Sequence, residues 1–339
     1  MSDTLLSTLA EALAELVTAV GTATDEDFDP DTALKWLEST AYTLGELGPA
    51  DRRTLDGLFR EAALRQPAGP WQDELLKVSE GFGLTADTHA ATCDAVLEAT
   101  RRFAATVRDA DPATPVPTCP GWTLADLTRH LGAVHRWAEH LVRTRAAVRV
   151  RVRDIPLDLP TDPAGYAEWL TAGAGSALTV LRTAAPGLPV WSPGADPHAG
   201  YYPRRLLAEA VVHLADAELA LGGVAGAIDP RTAADVIDHF LTDAPYIPWI
   251  AEPLAHLDRD GAVLRLTARD TGAVWTLTLG GGGFGWSRDA GGAEPTAGVT
   301  ADAGELLLLL HRRYAADDPR FAHTGDRGLL DDWLAATAL

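Results

Sequence analysis

Two side chains that could hold a metal ion lie four positions apart in the segment YYPRRLLAEAVVHLADAELALGG, which occupies positions 201–223. On a helix, Glu209 and His213 would point the same way, about 40° apart, because each residue turns the helix by about 100°. A carboxylate and an imidazole at this spacing can chelate one divalent metal ion. Asp216 follows three residues later, close enough to orient the imidazole ring. For this segment alone, an ordinary surface pair is the favoured interpretation, since short motifs often match by chance.

The apolar residues of the same segment predict the helix that would carry this pair. They recur at helical spacing and form one stripe: Leu206, Leu207, Ala210, Val211, Leu214 and Ala217. Gly222 and Gly223 follow as a stop signal. Arg204 and Arg205, at the start of the helix, could bind an acidic substrate or cofactor, although charged residues at such a position are more often solvated.

A third donor, His130, lies on another predicted helix, which runs from Leu124 to about Thr144. This helix has a good start signal, because Thr123 can act as N-cap and Asp126 occupies the N3 position of an acidic capping box. A metal site in a helical bundle draws its ligands from facing helices, so His130 is the candidate partner of the carboxylate and histidine described above.

Two further histidines on this helix, His135 and His140, are not expected to be ligands. His130 and His135 differ in direction by about 140°, so they cannot both face one site. Both additional histidines are therefore expected either to be solvated or to contact a metal ligand without binding the metal themselves. Two histidines and one carboxylate would leave coordination positions open, which is typical of catalytic sites. Zn²⁺ is the first expectation, and Fe²⁺ accepts the same donors.

Composition excludes several other classes of protein. The chain has 339 residues and a net charge of -20, which argues against binding to a nucleic-acid backbone. No segment is expected to span a membrane, and the acidic N-terminus lacks the basic region of a signal peptide. Cys93 and Cys119 give no disulfide framework or metal spacing. These features predict a cytoplasmic protein. The excess of arginine over lysine is typical of high-GC genomes.

Periodicity divides the chain into three predicted domains. Residues 1–84 read as a helical accessory domain of four helices, in which Leu34, Leu37, Tyr42 and Leu44 of the second helix are expected to face inward. Residues 85–250 contain four main helices with long connections, which predicts an antiparallel bundle with a site in its core. Residues 251–339 form an α+β domain, because the apolar period changes to two from Gly261 onward. The predicted fold class is therefore mainly α with a small α+β domain.

In the last domain, the spacing predicts a β-hairpin around Asp270-Thr271-Gly272, two further strands near 284–287 and 297–300, and helices over 301–314 and 328–338. No histidine precedes His89, so the accessory domain carries no catalytic spacing. It is expected to bind a protein partner or to mediate self-association. Cys119 is expected to be a small packed residue rather than a nucleophile.

Several short segments are typical of one known family. They are TCPGWT at 118–123, LTRHLG at 127–132, Glu209 and His213 followed by DAE at 216–218, and LLL at 306–308 with GDR at 325–327. Through these segments, residues 85–339 resemble the mycothiol-dependent maleylpyruvate isomerase family. This resemblance implies a DinB-like metal-binding four-helix bundle, metal ligation by His130, Glu209 and His213, and a sterol-carrier-like C-terminal domain. Relatives often have Arg-Trp after the second histidine, where this chain has Leu214-Ala215.

The resemblance also implies chemistry. A divalent ion with an open position binds the thiol mycothiol and holds it as a thiolate. In the isomerase reaction, this thiolate adds to a conjugated double bond, and rotation and elimination then give the trans isomer. In an S-transferase reaction, it attacks a small electrophile once. The alternatives are a non-catalytic metal-binding scaffold that binds a partner, and a metal-dependent hydrolase with water at the open position. Neither nucleic acid nor membrane is an expected partner.

Overall fold

The computed structural model of the protein describes residues 3–24, 28–288 and 294–338. The described residues are mainly helical and include a small five-stranded sheet, which confirms the predicted fold class. The chain divides into two compact units, one of Met1–Thr88 with Gly285–Gly291 and the other of His89–Phe284 with Gly292–Leu339. The domain boundaries expected near residues 84 and 250 stay predictions.

The first unit contains four helices in the described residues. Their bounds are α1 Asp3–Thr22, α2 Pro30–Gly45, α3 Pro49–Arg65 and α4 Pro70–Gly81. Its core is built by α1, α3 and α4, which contribute Ala14, Phe59 and Leu75. The inward direction expected in α2 is wrong for Leu34 and Tyr42, which are exposed, while Leu37 and Leu44 are half-buried and no residue of α2 is fully buried. The core is formed by the other three helices, and α2 packs mainly along α1.

One helix departs from the expectation about membranes. The segment Thr4–Thr22 of α1 is long and apolar enough to cross a bilayer, by length and composition only. Such a helix is weak evidence for a membrane span, since core helices of water-soluble proteins pass the same test. In this protein Ala10 and Ala14 of α1 lie in the hydrophobic core of the first unit, although Leu9 and Leu16 are exposed.

The four helices predicted as a bundle are present. Their bounds are α5 Thr85–Val107, α6 Leu124–Thr144, α7 Tyr166–Thr183 and α8 Tyr201–Ala220. The predicted capping box starts α6, where Thr123 accepts a hydrogen bond from the backbone of Asp126 and the Asp126 carboxylate accepts one in return. α6 packs against α7 and α8. Its approach to α7 is close at Gly132, where any larger side chain would collide with the ring of Trp169.

His135 is buried in this bundle, so the expectation of a solvated side chain is wrong. Its Nδ1 lies 2.7 Å from the carbonyl oxygen of Leu131, and its Nε2 lies 3.3 Å from Thr100 Oγ1 on α5. Burial lowers the pKa of His135 to about 4 because the positive charge would lose its hydration. The side chain therefore joins two helices as a neutral group. His140 is only partly buried.

The low pKa of His135 predicts acid sensitivity. As the pH falls from about 6.5 to about 4, the unfolded chain takes up a proton that the folded protein refuses, so stability falls through this window. Replacing His135 by leucine removes this titration. The free energy of unfolding is measured for both proteins by urea denaturation at pH 7 and at about pH 4.5. The decrease between these two pH values should be about 2–3 kcal/mol smaller for the His135→Leu protein than for the wild type. Equal losses in both proteins would contradict the buried, neutral state.

After the bundle, the chain joins helices to a sheet. The helices are α9 Pro230–Asp243, α10 Pro248–Ala255, α11 Ala303–Leu310 and α12 Arg327–Ala336, and the strands are β1 Val263–Ala268, β2 Val274–Gly280, β3 Gly283–Ser287, β4 Ala297–Ala301 and β5 Ala322–Gly325. The sheet order is β3-β2-β1-β4-β5. β1 runs antiparallel to β2 and parallel to β4, and β4 runs antiparallel to β5. The predicted hairpin is thus confirmed.

Two helices lie on the sheet and a third connects it to the bundle. α11 packs on β1 and β4, and α12 packs on β4. The five consecutive leucines 306–310 of α11 are all buried, since this helix is covered by the sheet on one side and by α9 on the other. α9 also packs against α8. The end of α11 is thereby held close to the helix that carries Glu209 and His213.

Candidate metal centre

The three predicted donors come together in the folded chain. One ligand atom from each of His130, Glu209 and His213 lies within 4.8 Å of the others. His130 Nε2 and His213 Nε2 are each 3.2 Å from Glu209 Oε2. The two imidazole rings meet edge to face, with centroids 5.0 Å apart. Two ring nitrogens and one carboxylate oxygen therefore converge on one point, and this donor set fits a divalent ion such as Zn²⁺ or Fe²⁺.

Asp216 holds His213 in the orientation that this cluster needs. The carboxylate is fully buried, and its Oδ2 lies 2.8 Å from His213 Nδ1. A proton held on Nδ1 leaves Nε2 directed toward Glu209, as in metal sites where a carboxylate fixes the tautomer of a ligand. Burial would lower the pKa of His213, but the hydrogen bonds with Asp216, Cys119 and Glu209 raise it well above its usual range.

Arg313 pairs with Asp216 from the far end of the chain. Its Nε and Nη2 each lie 2.8 Å from a carboxylate oxygen of Asp216, and its side chain is only 9% exposed. Burial would raise the pKa of Asp216, but its hydrogen bonds with His213 and Arg313, with their positive charges, hold that pKa well below its usual range. Sequence reasoning missed Arg313, which follows α11 and carries no informative spacing to any donor.

The loop before α6 adds two more contacts to Asp216. Thr118 Oγ1 donates a hydrogen bond of 2.6 Å to Oδ1, and Cys119 Sγ lies 3.4 Å from Oδ2. Cys119 is partly exposed and also lies 3.6 Å from Arg313 Nη2. It was expected to be a small packed residue, and it instead borders the donor cluster. The segment TCPGWT thus supplies polar support as well as the N-cap of α6.

The two arginines at the start of α8 have different surroundings. Arg205 donates a hydrogen bond to Glu209 Oε1. Burial would raise the pKa of Glu209, but the charge of Arg205 and the hydrogen bonds with His130 and His213 hold it well below its usual range. Arg204 instead pairs with Asp235 of α9, at 2.7 Å. Arg205 therefore lies at the cluster, and Arg204 is engaged elsewhere.

The cluster opens into a cavity of about 380 Å³. The residues around it combine metal donors, cationic groups and aromatic rings: Thr118, Cys119, Pro120, Trp122, His130, Arg205, Ala208, Glu209, Val212, His213, Trp249, His311 and Arg313. Trp122 packs against His130 with ring centroids 5.0 Å apart and shields one side of the cluster. Such a cavity suits a small molecule with an anionic or metal-binding group.

Comparison with known proteins gives one informative match. Residues 93–218 match the family described as the mycothiol maleylpyruvate isomerase N-terminal domain. No curated protein matches the chain significantly. One solved structure, a double mutant of the sec-alkyl sulfatase PisA1, aligns with 15% identity and a TM-score of 0.26, over 97% of this chain and 51% of that one. This chain thus spans about half of that protein, and a similarity so low carries no argument.

The matched segment contains His130, Glu209, His213 and Asp216, and it ends before Arg313. The family implies a metal ion and mycothiol, and the donor set found here is compatible with both. The donor cluster of this chain therefore lies inside the segment that is similar to the mycothiol maleylpyruvate isomerase N-terminal domain.

Proposed function

We propose that the protein is a metal-dependent enzyme that uses mycothiol to isomerise, or to attach sulfur to, a small electrophilic substrate. The observation that carries this proposal is the convergence of His130, Glu209 and His213 within 4.8 Å. They form one wall of a cavity large enough for a small molecule. The metal ligands in this proposal are these three residues, and Zn²⁺ is preferred over Fe²⁺.

When bound, a divalent ion would stabilise the thiol cosubstrate as a thiolate, because a cation lowers the pKa of a thiol. The protein's own residues prepare this site. Asp216 keeps the proton of His213 on Nδ1. Arg205 compensates the charge of Glu209, and Arg313 compensates that of Asp216. The two buried carboxylates are thereby neutralised, so that the cluster can accept an additional anion.

The chemistry of the thiolate depends on the electrophile. In an isomerisation, the sulfur lone pair forms a bond to one carbon of a conjugated double bond, and the π electrons move into the acceptor group. Rotation about the new single bond and loss of the thiolate restore the double bond in the other geometry. In an S-transfer, the thioether product is released after protonation. Arg205 and Arg313 both line the cavity and are suitable partners for a negatively charged acceptor group.

Mycothiol binding provides the direct test. The zinc-loaded protein is expected to bind about one equivalent of mycothiol in isothermal titration calorimetry, and the same protein treated with a chelator is expected to bind none. Binding should be tighter at pH 8 than at pH 6, because forming the thiolate releases a proton.

Two other functions predict different results in this titration. A metal-dependent hydrolase would contain zinc without binding mycothiol, and its activity would require no thiol. A non-catalytic scaffold would bind no thiol even with metal present. Equal mycothiol binding before and after chelation would also contradict the proposal, since it would place the thiol away from the metal.

The remaining assignments are also proposals. The proposed location is the cytoplasm, and the free state of Cys93 and Cys119 suits its reducing environment. Residues 1–84 are proposed to bind a protein partner or to mediate self-association. Leu34, Trp36 and Tyr42 support this role, because they are more than half exposed on α2.

A further inference from the structure

Trp249 is an exposed aromatic residue in the wall of the cavity. Its side chain is 62% exposed, although it lines the same cavity as the metal donors. The helix that carries it is firmly anchored, because its neighbours Ile250 and Leu254 on α10 are buried. The position of the indole is therefore set by a packed helix, and its exposure does not come from a loose segment.

The two tryptophans of the cavity differ in their surroundings. Trp122 is partly buried against the rings of His130 and His213, so its place is at the donor cluster. Trp249 has no aromatic partner among the ring contacts of the described residues, and much of its surface faces solvent. The cavity lining thus combines the metal donors with one indole that is still largely exposed to solvent. A molecule that binds the metal through one group can therefore contact Trp249 with another part of its surface.

The volume of the cavity limits how much of a bound molecule it can enclose. At about 380 Å³, it lies near the lower limit of roughly 300–1,000 Å³ for pockets that enclose a drug-sized ligand. It can enclose one small electrophile together with a thiol group, but not the whole of a larger cosubstrate. Mycothiol is a sugar-bearing thiol, so most of its atoms must lie beyond the enclosed part of the site.

We propose that Trp249 binds the body of the thiol cosubstrate, with the indole packing against the sugar portion of mycothiol while the sulfur lies at the metal. This role rests on the proposed function and adds a residue that fixes the choice of thiol. The flat apolar face of an indole suits the C–H face of a sugar ring, and contact would remove from water the surface that is now exposed. A small thiol without this body would bind the metal and leave Trp249 uncovered.

The test compares two thiols and two variants. Mycothiol and N-acetylcysteine are titrated into the zinc-loaded full-length protein by calorimetry. For the Trp249→Ala protein, the dissociation constant of mycothiol should rise about tenfold, a typical effect of truncating a tryptophan at a binding surface. The dissociation constant of N-acetylcysteine and the zinc content should not change. Tyr246→Ala is the matched control, because Tyr246 is 59% exposed nearby and does not line the cavity; it should leave both constants unchanged.

Three results would overturn this role. Equal mycothiol affinity in the wild type and the Trp249→Ala protein would show that Trp249 does not bind the thiol. The proposed function would be unaffected by that result. The same rise for both thiols would indicate a general effect on the site. An equal rise in the mycothiol dissociation constant for Tyr246→Ala and Trp249→Ala would show that the effect is not specific to the indole. If the zinc-loaded wild type binds neither thiol, the proposed function fails as well.

Discussion

The protein in which alanine replaces His213 is expected to lose stoichiometric metal binding. His213 Nε2 is one of only three donors that the described structure brings to the cluster, and an alanine offers no replacement. Loss of residues that merely support a ligand costs about 10–100-fold in metal affinity, so loss of a ligand should cost at least about 100-fold. Metal content per protein after gel filtration, measured by mass spectrometry, should fall from about one equivalent to near zero.

His140→Ala is the matched control for this experiment. His140 lies on α6, as His130 does, but it does not belong to the cluster of His130, Glu209 and His213. This variant should retain the metal content of the wild type. Circular dichroism should show folded helices in both variants, which separates metal loss from unfolding. Wild-type metal content in the His213→Ala protein would show that the assigned site is wrong.

A second large effect is expected when alanine replaces Arg313. This change leaves the carboxylate of Asp216 buried without the cation that compensates it. Removing one partner of a buried ion pair costs about 3–5 kcal/mol. His213 and Thr118 still contact the Asp216 carboxylate, so the expected loss lies at the lower end, about 3 kcal/mol. Urea denaturation should show a loss of this size in unfolding free energy. Metal affinity should fall as well, by about 10–100-fold, since Asp216 orients His213.

Two further variants distinguish loss of the ion pair with Asp216 from the effect of removing any arginine. Arg312→Ala removes an exposed neighbouring arginine and should change stability by no more than about 0.5 kcal/mol. In the Arg313→Ala background, Asp216→Asn removes the uncompensated charge and should recover part of the lost stability. Equal stability of the Arg313→Ala and Arg312→Ala proteins would mean that the ion pair contributes nothing.

Elements with strong local signals could be predicted from the sequence. The Thr123 capping box marks the start of α6, and the change of apolar period at Gly261 marks the sheet. The strand β5 was missed because it has only four residues, none of them buried, and so shows no alternation of apolar residues.

Some residues of the site could be predicted from spacing within one helix, and others meet only through tertiary packing. Glu209, His213 and Asp216 share one helix, so their spacing alone predicts a common face. Arg313 is separated from Asp216 by 97 positions and is brought to it only by the packing of α11 against α9. No periodicity in a single sequence encodes such a pairing. The same holds for His135, whose burial depends on α5 covering that side of α6.

The distance along the chain between Asp216 and Arg313 has a consequence for biosynthesis. A ribosome releases all three donors well before Arg313, so a growing chain can present the ligands while Asp216 still lacks its cation. Contacts between distant positions also form late in folding, because long loops must close first. Tight metal retention should therefore appear only after synthesis of the α+β region, which makes metal capture a marker that this region has folded onto the bundle.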